Sequence, residues 1–285
     1  MKRYGFTLAR LFVLIALVGL GTGGVLVAQS LTRSADVRHL MADTEQAMTA
    51  VNLFRDKYQQ LPGDFDNAIS IWGRDTRCPD AEGNSGEARA PGTCNGDNNG
   101  LIESTTMMPA TTSEVFQMWR HLALAGLVQG DFTGLSGGNY AECIIGFNCP
   151  RLSMSDATAM ATDFNWQGTG TNGWWGTKSA GTGNWLVLGA PGNGLSWPHV
   201  PLLSAKEQAN IDIKQDDGKP GTGKVMAMGC QLYQSGCMVG PDGNSVVPLD
   251  CDSFAAVAQY QTSKPGTICT PMFRMTERSS APIHQ

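Results

Sequence analysis

Residues 1–28, MKRYGFTLARLFVLIALVGLGTGGVLVA, join a short basic leader, Met1 to Gly5, to a long apolar run. From Leu11 to Ala28 there is no charged residue. That is about 18 residues, a length that just suffices to cross the hydrocarbon layer as a helix. Lys2, Arg3 and Arg10 precede the run, so the positive-inside rule keeps this end cytoplasmic. Everything after Gln29 then falls in the periplasm or outside. An ordinary secretory signal has its small-residue cleavage site beyond the apolar stretch, which is discarded on cleavage. Here Gly5 precedes the stretch.

Helical periodicity continues past the apolar run. Val37, Leu40, Met41, Thr44, Met48, Val51, Phe54 and Tyr58 recur every three or four residues, with Asp36, Arg38, Asp43, Glu45, Arg55 and Asp56 between them. This amphipathic pattern stops at Leu61-Pro62-Gly63. The two halves predict one stalk from roughly Thr7 to Gln59, about 80 Å long at the helical rise. Gly19, Gly21, Gly23 and Gly24 interrupt its apolar half, each costing about 1 kcal/mol in helix propensity against alanine. Gly19 and Gly23 have the GxxxG spacing of close-packed helices. Glycine is also simply abundant in membrane helices.

The string Gly5-Phe6-Thr7-Leu8, followed by aliphatic residues, resembles the prepilin signal of type IV pilins and type II secretion pseudopilins. In that family a membrane peptidase cuts after the glycine, methylates the new N-terminal phenylalanine and leaves the apolar helix on the mature protein. The resemblance implies a chain that begins at Phe6 and stays in the inner membrane as a single-pass protein with a periplasmic head. It also implies two kinds of partner, the prepilin peptidase and other pilin or pseudopilin subunits, and assembly into a periplasmic or extracellular filament. Arg10 departs from the pattern. Family members usually carry a glutamate there, thought to neutralise a neighbour's terminal amine, and two cations in lipid repel. One large minor pseudopilin at the filament tip lacks this glutamate, so a tip subunit tolerates the loss. Alternatively Arg10 snorkels to the headgroups with no assembly role.

Composition bounds the head. The 285 residues include 35 glycines and 8 cysteines, with net charge −5 and a pI of about 5.3. This mild acidity gives no basic footprint, and no nucleic-acid partner is expected. Cys78, Cys94, Cys143, Cys149, Cys230, Cys237, Cys251 and Cys269 all fall outside the cytoplasm in this topology. An even set in an oxidising compartment reads as disulfides. Connectivity is open from sequence; pairing of neighbours in the chain, 78 with 94, 143 with 149, 230 with 237 and 251 with 269, is the expectation. Zinc would need ligand spacing, but there is no CxxC, and His39, His121, His199 and His284 are scattered.

Residues 60–112 are rich in Gly, Asn, Asp and Pro and read as a long structured loop. Ser113 precedes a helix over Glu114 to about Ala125, closed by Gly126. Ser204 and Glu207 have capping-box spacing for a short helix through about Ile213. Trp185 to Leu188, Val225 to Met228 and Met272 to Met275 read as strands. The order gives an α+β, pilin-like fold: a long N-terminal helix, membrane half plus amphipathic half, packed on a small antiparallel sheet in a loop-rich, disulfide-containing head. The organisation is leader 1–5, membrane or filament-core helix 6–29, amphipathic stalk 30–59 and head 60–285.

Asn95-Gly-Asp97-Asn-Asn99-Gly100-Leu101-Ile-Glu103 matches the front of an EF-hand loop, with oxygen side chains at alternate positions, a glycine for the turn and the Leu101 carbonyl. Thr106 stands where the bidentate glutamate belongs, so Glu103 or a distant acid must complete a calcium shell. A metal-free Asn/Gly/Asp turn is the other reading. Asp212, Asp216 and Asp217 before Gly218 form a weaker candidate: major pseudopilins bind calcium in an acidic loop near their sheet, and this stretch resembles the aspartate-rich loops of environmental pilin-like proteins, or else is a solvated turn. Gly134-Leu-Ser136-Gly-Gly138 spells a hydrolase elbow and Gly168-Thr-Gly170-Thr-Asn-Gly173 a dinucleotide fingerprint. Both lack the flanking strand and helix those chemistries need. The sequence therefore points to a non-enzymatic structural subunit, minor or at the tip, of a pilus or secretion pseudopilus. The alternative is a membrane-tethered adhesin or substrate-binding protein whose tryptophan-rich head, with Trp166, Trp174, Trp175, Trp185 and Trp197, recognises a surface.

Overall fold

A computed structural model describes residues 8–78, 91–102, 113–136, 142–154, 157–163, 183–192, 195–220, 222–228, 238–239, 246–247, 251, 259–263 and 265–277. The expected stalk is one continuous helix, α1 (Leu8–Tyr58), of 51 residues, about 77 Å at the helical rise. It is followed by α2 (Ala68–Trp72), α3 (Glu114–Leu124), β1 (Thr158–Asp163), β2 (Gly183–Gly192), β3 (Leu195–Val200), α4 (Ala205–Gln215), β4 (Val225–Met228), β5 (Met238–Val239), β6 (Val246–Val247) and β7 (Thr270–Glu277). The fold is α+β.

The main sheet has the order β1-β2-β7-β4, with β3 paired to the far end of β2. Every pairing in it is antiparallel. The long strand β2 shows why both faces are buried. Leu186 and Leu188 point into the main core, while Trp185 and Val187 join Met226 and Met272 in a second cluster, as the period-2 alternation of a strand requires. Strands β1 and β3 have no counterpart in the sequence reading, since Thr-Ala-Met-Ala-Thr-Asp carries few β-branched residues and β3 contains Pro198.

The C-terminal half of α1 is the spine of the main core. Leu40, Ala47, Ala50, Val51 and Phe54 are buried against Val115, Phe116, Met118, Trp119 and Leu122 of α3 and the sheet residues Leu186, Leu188 and Phe273. Leu40, Val51 and Phe54 are amphipathic positions of the sequence, and Ala47 and Ala50 join them on the buried face. The helix ends where Gln59 adopts a positive φ of 59° and Gly63 one of 96°. A Cβ on Gly63 would come within 2.5 Å of the Glu114 carbonyl oxygen, so only glycine lets the chain pass this close to α3.

The N-terminal half of α1 is different. Leu11, Phe12, Val13, Leu14, Ile15, Leu17, Val18, Val25 and Leu31 each leave roughly half or more of their surface open. Among the described residues no helix is long and apolar enough to cross a membrane. The expected span from Leu11 to Ala28 is only partly covered by them, since the side chains at 16, 19–24, 26 and 27 lie outside the described residues.

Among the described residues three disulfides staple the head: Cys78–Cys94, Cys143–Cys149 and Cys251–Cys269, with Cα separations of 5.5, 5.6 and 5.1 Å. The pairings are those of chain neighbours. Cys230 and Cys237 lie outside the described residues.

Candidate functional site

The foot of α1 carries the densest polar chemistry. Just after Pro62-Gly63, Asp64 turns inward and is almost fully buried. The loop 95–100 wraps around it. Asn99 and Gly100 donate their backbone N–H groups to the two carboxylate oxygens of Asp64 at 3.0 and 2.9 Å, and Asn98 N–H donates to the Asp64 carbonyl at 3.0 Å. Asn98 accepts a positive φ of 59° to make this turn, which asparagine tolerates better than most residues. Asp97 accepts from the Asn99 N–H and side-chain amide. Its own N–H donates to the Glu114 carboxylate at 3.0 Å. Carboxylate oxygens of Asp64, Asp97 and Glu114 thus lie within 4.8 Å of one another.

This constellation differs from the sequence candidates in its membership. Of those, Asp97 belongs to the carboxylate cluster. The Asn95 side-chain oxygen accepts from the Ile69 N–H at 2.8 Å at the start of α2, and the Asn99 oxygen accepts from the Leu101 N–H at 2.8 Å. Glu103 lies outside the described residues. Asp64 and Glu114 come from distant positions that the loop motif does not reach. The available signals were an acid immediately after a helix-ending Pro-Gly and an acid in a first helical turn, where the helix dipole favours it.

Burial pushes the Asp64 carboxyl up to about 7, against the two N–H groups that lower it, and the nearby Asp97 adds to the rise. Its ionised form is therefore costly. An all-oxygen set of three carboxylates suits a hard divalent cation such as calcium, which would offset the mutual repulsion. Asp64, Asp97 and Glu114 are the residues that would hold it.

The second acidic group is gathered at the end of α4, with Asp212, Asp216 and Asp217 also within 4.8 Å. Its oxygens tie the α4–β4 loop. Asp212, buried, accepts from the Tyr260 hydroxyl at 2.6 Å and from Gly218 N–H at 3.0 Å. Asp216 accepts from Lys224 N–H and Val225 N–H. Asp217 accepts from Lys219 N–H and the Thr222 hydroxyl. Burial raises Asp212 to about 6, with Tyr260 and Gly218 opposing and the two other aspartates contributing.

His121 of α3 sits beneath the stalk foot, fully buried. The Gly63 N–H donates to its Nδ1 at 2.9 Å, which places the proton on Nε2, facing the Cys94 carbonyl at 3.0 Å. Burial lowers its pKa to about 4. Phe54 and Trp72 stack on the ring. A neutral imidazole here joins α1, α3 and the Cys78–Cys94 loop.

The assembly candidates Arg10, Gly19 and Gly23 lie on α1, but their side-chain surroundings are outside the description, as are Gly5, Phe6, Trp166, Trp174, Trp175 and the stretch Gly168 to Gly173. Trp119 and Trp185 are buried in the head. Gly134 and Ser136 follow α3 in a loop, where the Gly134 carbonyl accepts from the Gln117 side chain at 2.9 Å.

Compared with models of protein families, with curated proteins and with solved structures, the chain matches none. The fold itself defines a class: a helix some 50 residues long, docked through its C-terminal half onto an antiparallel, disulfide-stapled α+β head, with apolar side chains open along its N-terminal half.

Proposed function

We propose that the protein is a structural subunit of a type IV pilus or type II secretion pseudopilus, minor or at the tip, which assembles through its N-terminal helix. The observation that carries this reading is the change of character along α1. Between Leu40 and Phe54 the residues Leu40, Ala47, Ala50, Val51 and Phe54 are buried in the head and Leu53 is the exposed large apolar side chain, whereas from Leu11 to Val18 the described apolar positions stand open. Nine such large apolar side chains on one projecting helix need a nonaqueous partner, because each fully buried one contributes about 1.5–3 kcal/mol. A lipid bilayer before assembly and a bundle of like helices afterwards both supply one. The GFTL junction, cut between Gly5 and Phe6 by a prepilin peptidase, gives the route between those two environments.

In this reading the protein is first a single-pass inner-membrane protein with its head in the periplasm. The head sets the outer surface and the neighbours, and the carboxylates of Asp64, Asp97 and Glu114 would hold calcium, a charge that would tie the loop at the stalk foot to α3. Arg10 favours a terminal position, since its cation cannot neutralise a neighbour's terminal amine in a medium of low dielectric. The buried Trp185 serves packing, which weakens the alternative of an adhesive tryptophan surface at that position. Immunogold labelling of filaments tests the assignment. Gold confined to filament ends is expected; uniform labelling would assign the protein to the shaft, and cells with filaments but no labelled ones would remove it from the structure altogether.

A further inference from the structure

The stalk is held to the head at a second point well before its buried stretch begins. Arg33 lies two turns ahead of Leu40, the first fully buried residue of α1. Its Nε donates to Glu207 Oε1 at 2.7 Å, and its Nη2 donates to Glu207 Oε2 at 2.8 Å and to the Leu202 carbonyl at 2.6 Å. The receiving surface is rigid. Glu207 is the third residue of α4, and its Oε2 also accepts from the Ser204 N–H and hydroxyl, while the Ser204 oxygen accepts from Glu207 N–H. The carboxylate cannot follow a moving arginine without dismantling this capping box. Leu202 and Leu203 are in turn bonded to Cys269, which is closed in a disulfide with Cys251.

Between Arg33 and Leu40 no residue is fully buried, and Val37 is the apolar side chain partly packed on the core. The helix side of the joint is therefore the side free to move. A forked guanidinium fits both oxygens of a fixed carboxylate and a carbonyl at once, which an ammonium cannot do. Burial pushes the Glu207 carboxyl up, but Arg33 and Ser204 outweigh it and leave it below its ordinary value, so it stays ionised at neutral pH.

We propose that Arg33 and the capped Glu207 form a latch that fixes the direction in which the apolar half of α1 leaves the head. When the latch opens, the helix from about residue 29 to 39 swings away while residues 40–58 stay docked. The latch holds whether or not the projecting segment enters a filament, so it stands apart from the assembly reading.

Spin labels on Gln29→Cys and Lys206→Cys, both exposed positions on the two sides of the joint, measure it in the full chain held in lipid nanodiscs. One narrow distance distribution is expected for the latched protein. Arg33→Met, which keeps an apolar stem, should add a longer, broader component, with the latched-to-released ratio falling roughly 5- to 30-fold. Arg33→Lys should fall between the two. Near-ultraviolet circular dichroism and the melting temperature of the head should stay within a few degrees of the parent. An unchanged distribution in Arg33→Met overturns the proposal. So does loss of the head signal in Arg33→Met, which would make the ion pair part of the folding core rather than a latch.

Discussion

His121 is the residue whose replacement reports most directly on how the stalk foot is held. His121→Phe keeps an aromatic ring beside Phe54 and Trp72 but removes both nitrogens. The Gly63 N–H, bonded to His121 at 2.9 Å, then loses its partner, and the Cys94 carbonyl, bonded at 3.0 Å, keeps only the long contact from the Thr93 hydroxyl at 3.5 Å in a buried setting. Each stranded group costs about 1–3 kcal/mol, so the variant should lose about 4 kcal/mol at pH 7. His121→Ala should lose more, because a cavity is added. The pH dependence carries the sharper sign. With a folded pKa of about 4 against an ordinary 6.5, the unfolded chain binds more protons throughout that window. Acid therefore favours unfolding, and His121 stability present above pH 6.5 is lost as pH falls toward 4. At 1.36 kcal/mol per unit this amounts to about 3 kcal/mol.

Two other groups act in the opposite sense. Asp64 and Asp212 are held up at about 7 and 6, so their protonated forms favour the fold at low pH, and that contribution disappears as pH rises through those values. The observable is therefore the difference between parent and His121→Phe at each pH, in which the aspartates cancel. Urea unfolding in mild detergent, with disulfides intact, should show an advantage of about 4 kcal/mol at pH 7 shrinking to about 1 kcal/mol near pH 4. A difference that is flat with pH, or smaller than about 0.5 kcal/mol at pH 7, would refute the neutral buried imidazole.

Millimolar calcium should raise the melting temperature, since a ligand of the native state stabilises it by mass action. Asp64→Asn should remove most of that rise; an undiminished shift, or none in the parent, would return the 95–100 loop to a hydrogen-bonded turn. Replacing Cys251 and Cys269 together by alanine should cost about 2–5 kcal/mol and expose the head to proteases. Resistance equal to the parent would show that the Leu203 to Cys269 bridge holds that region without the disulfide.

The stalk was legible in sequence because its signals are local and repeated. Leu40, Val51 and Phe54 recur at helical spacing, and Pro62-Gly63 stops the pattern. The Ser204/Glu207 capping box and the cores of β2, β4 and β7 were legible for the same reason, and the structure extends α4 by two residues to Gln215. The three observed disulfides follow chain order. Strands β1 and β3 were not legible, since their propensity is weak and they exist through pairing with β2. One of the three carboxylates in the cluster was legible. Asp97 lies in a readable loop, but Asp64 and Glu114 are brought to it by tertiary contacts across more than one element. Nothing in the sequence distinguished Glu207 as an ion-pair partner of Arg33, 174 residues away.

Retention of the apolar helix on the mature protein and its placement in a filament leave a signature at the mature N-terminus. Protein purified from the membrane or filament fraction of the native cells should begin at Phe6 and carry a methyl group on its terminal amine. Changing Gly5 to a bulky residue should leave the uncut precursor in the inner membrane. A mature chain that keeps Met1, or one cut beyond Ala28 so that the helix is lost, would contradict the account.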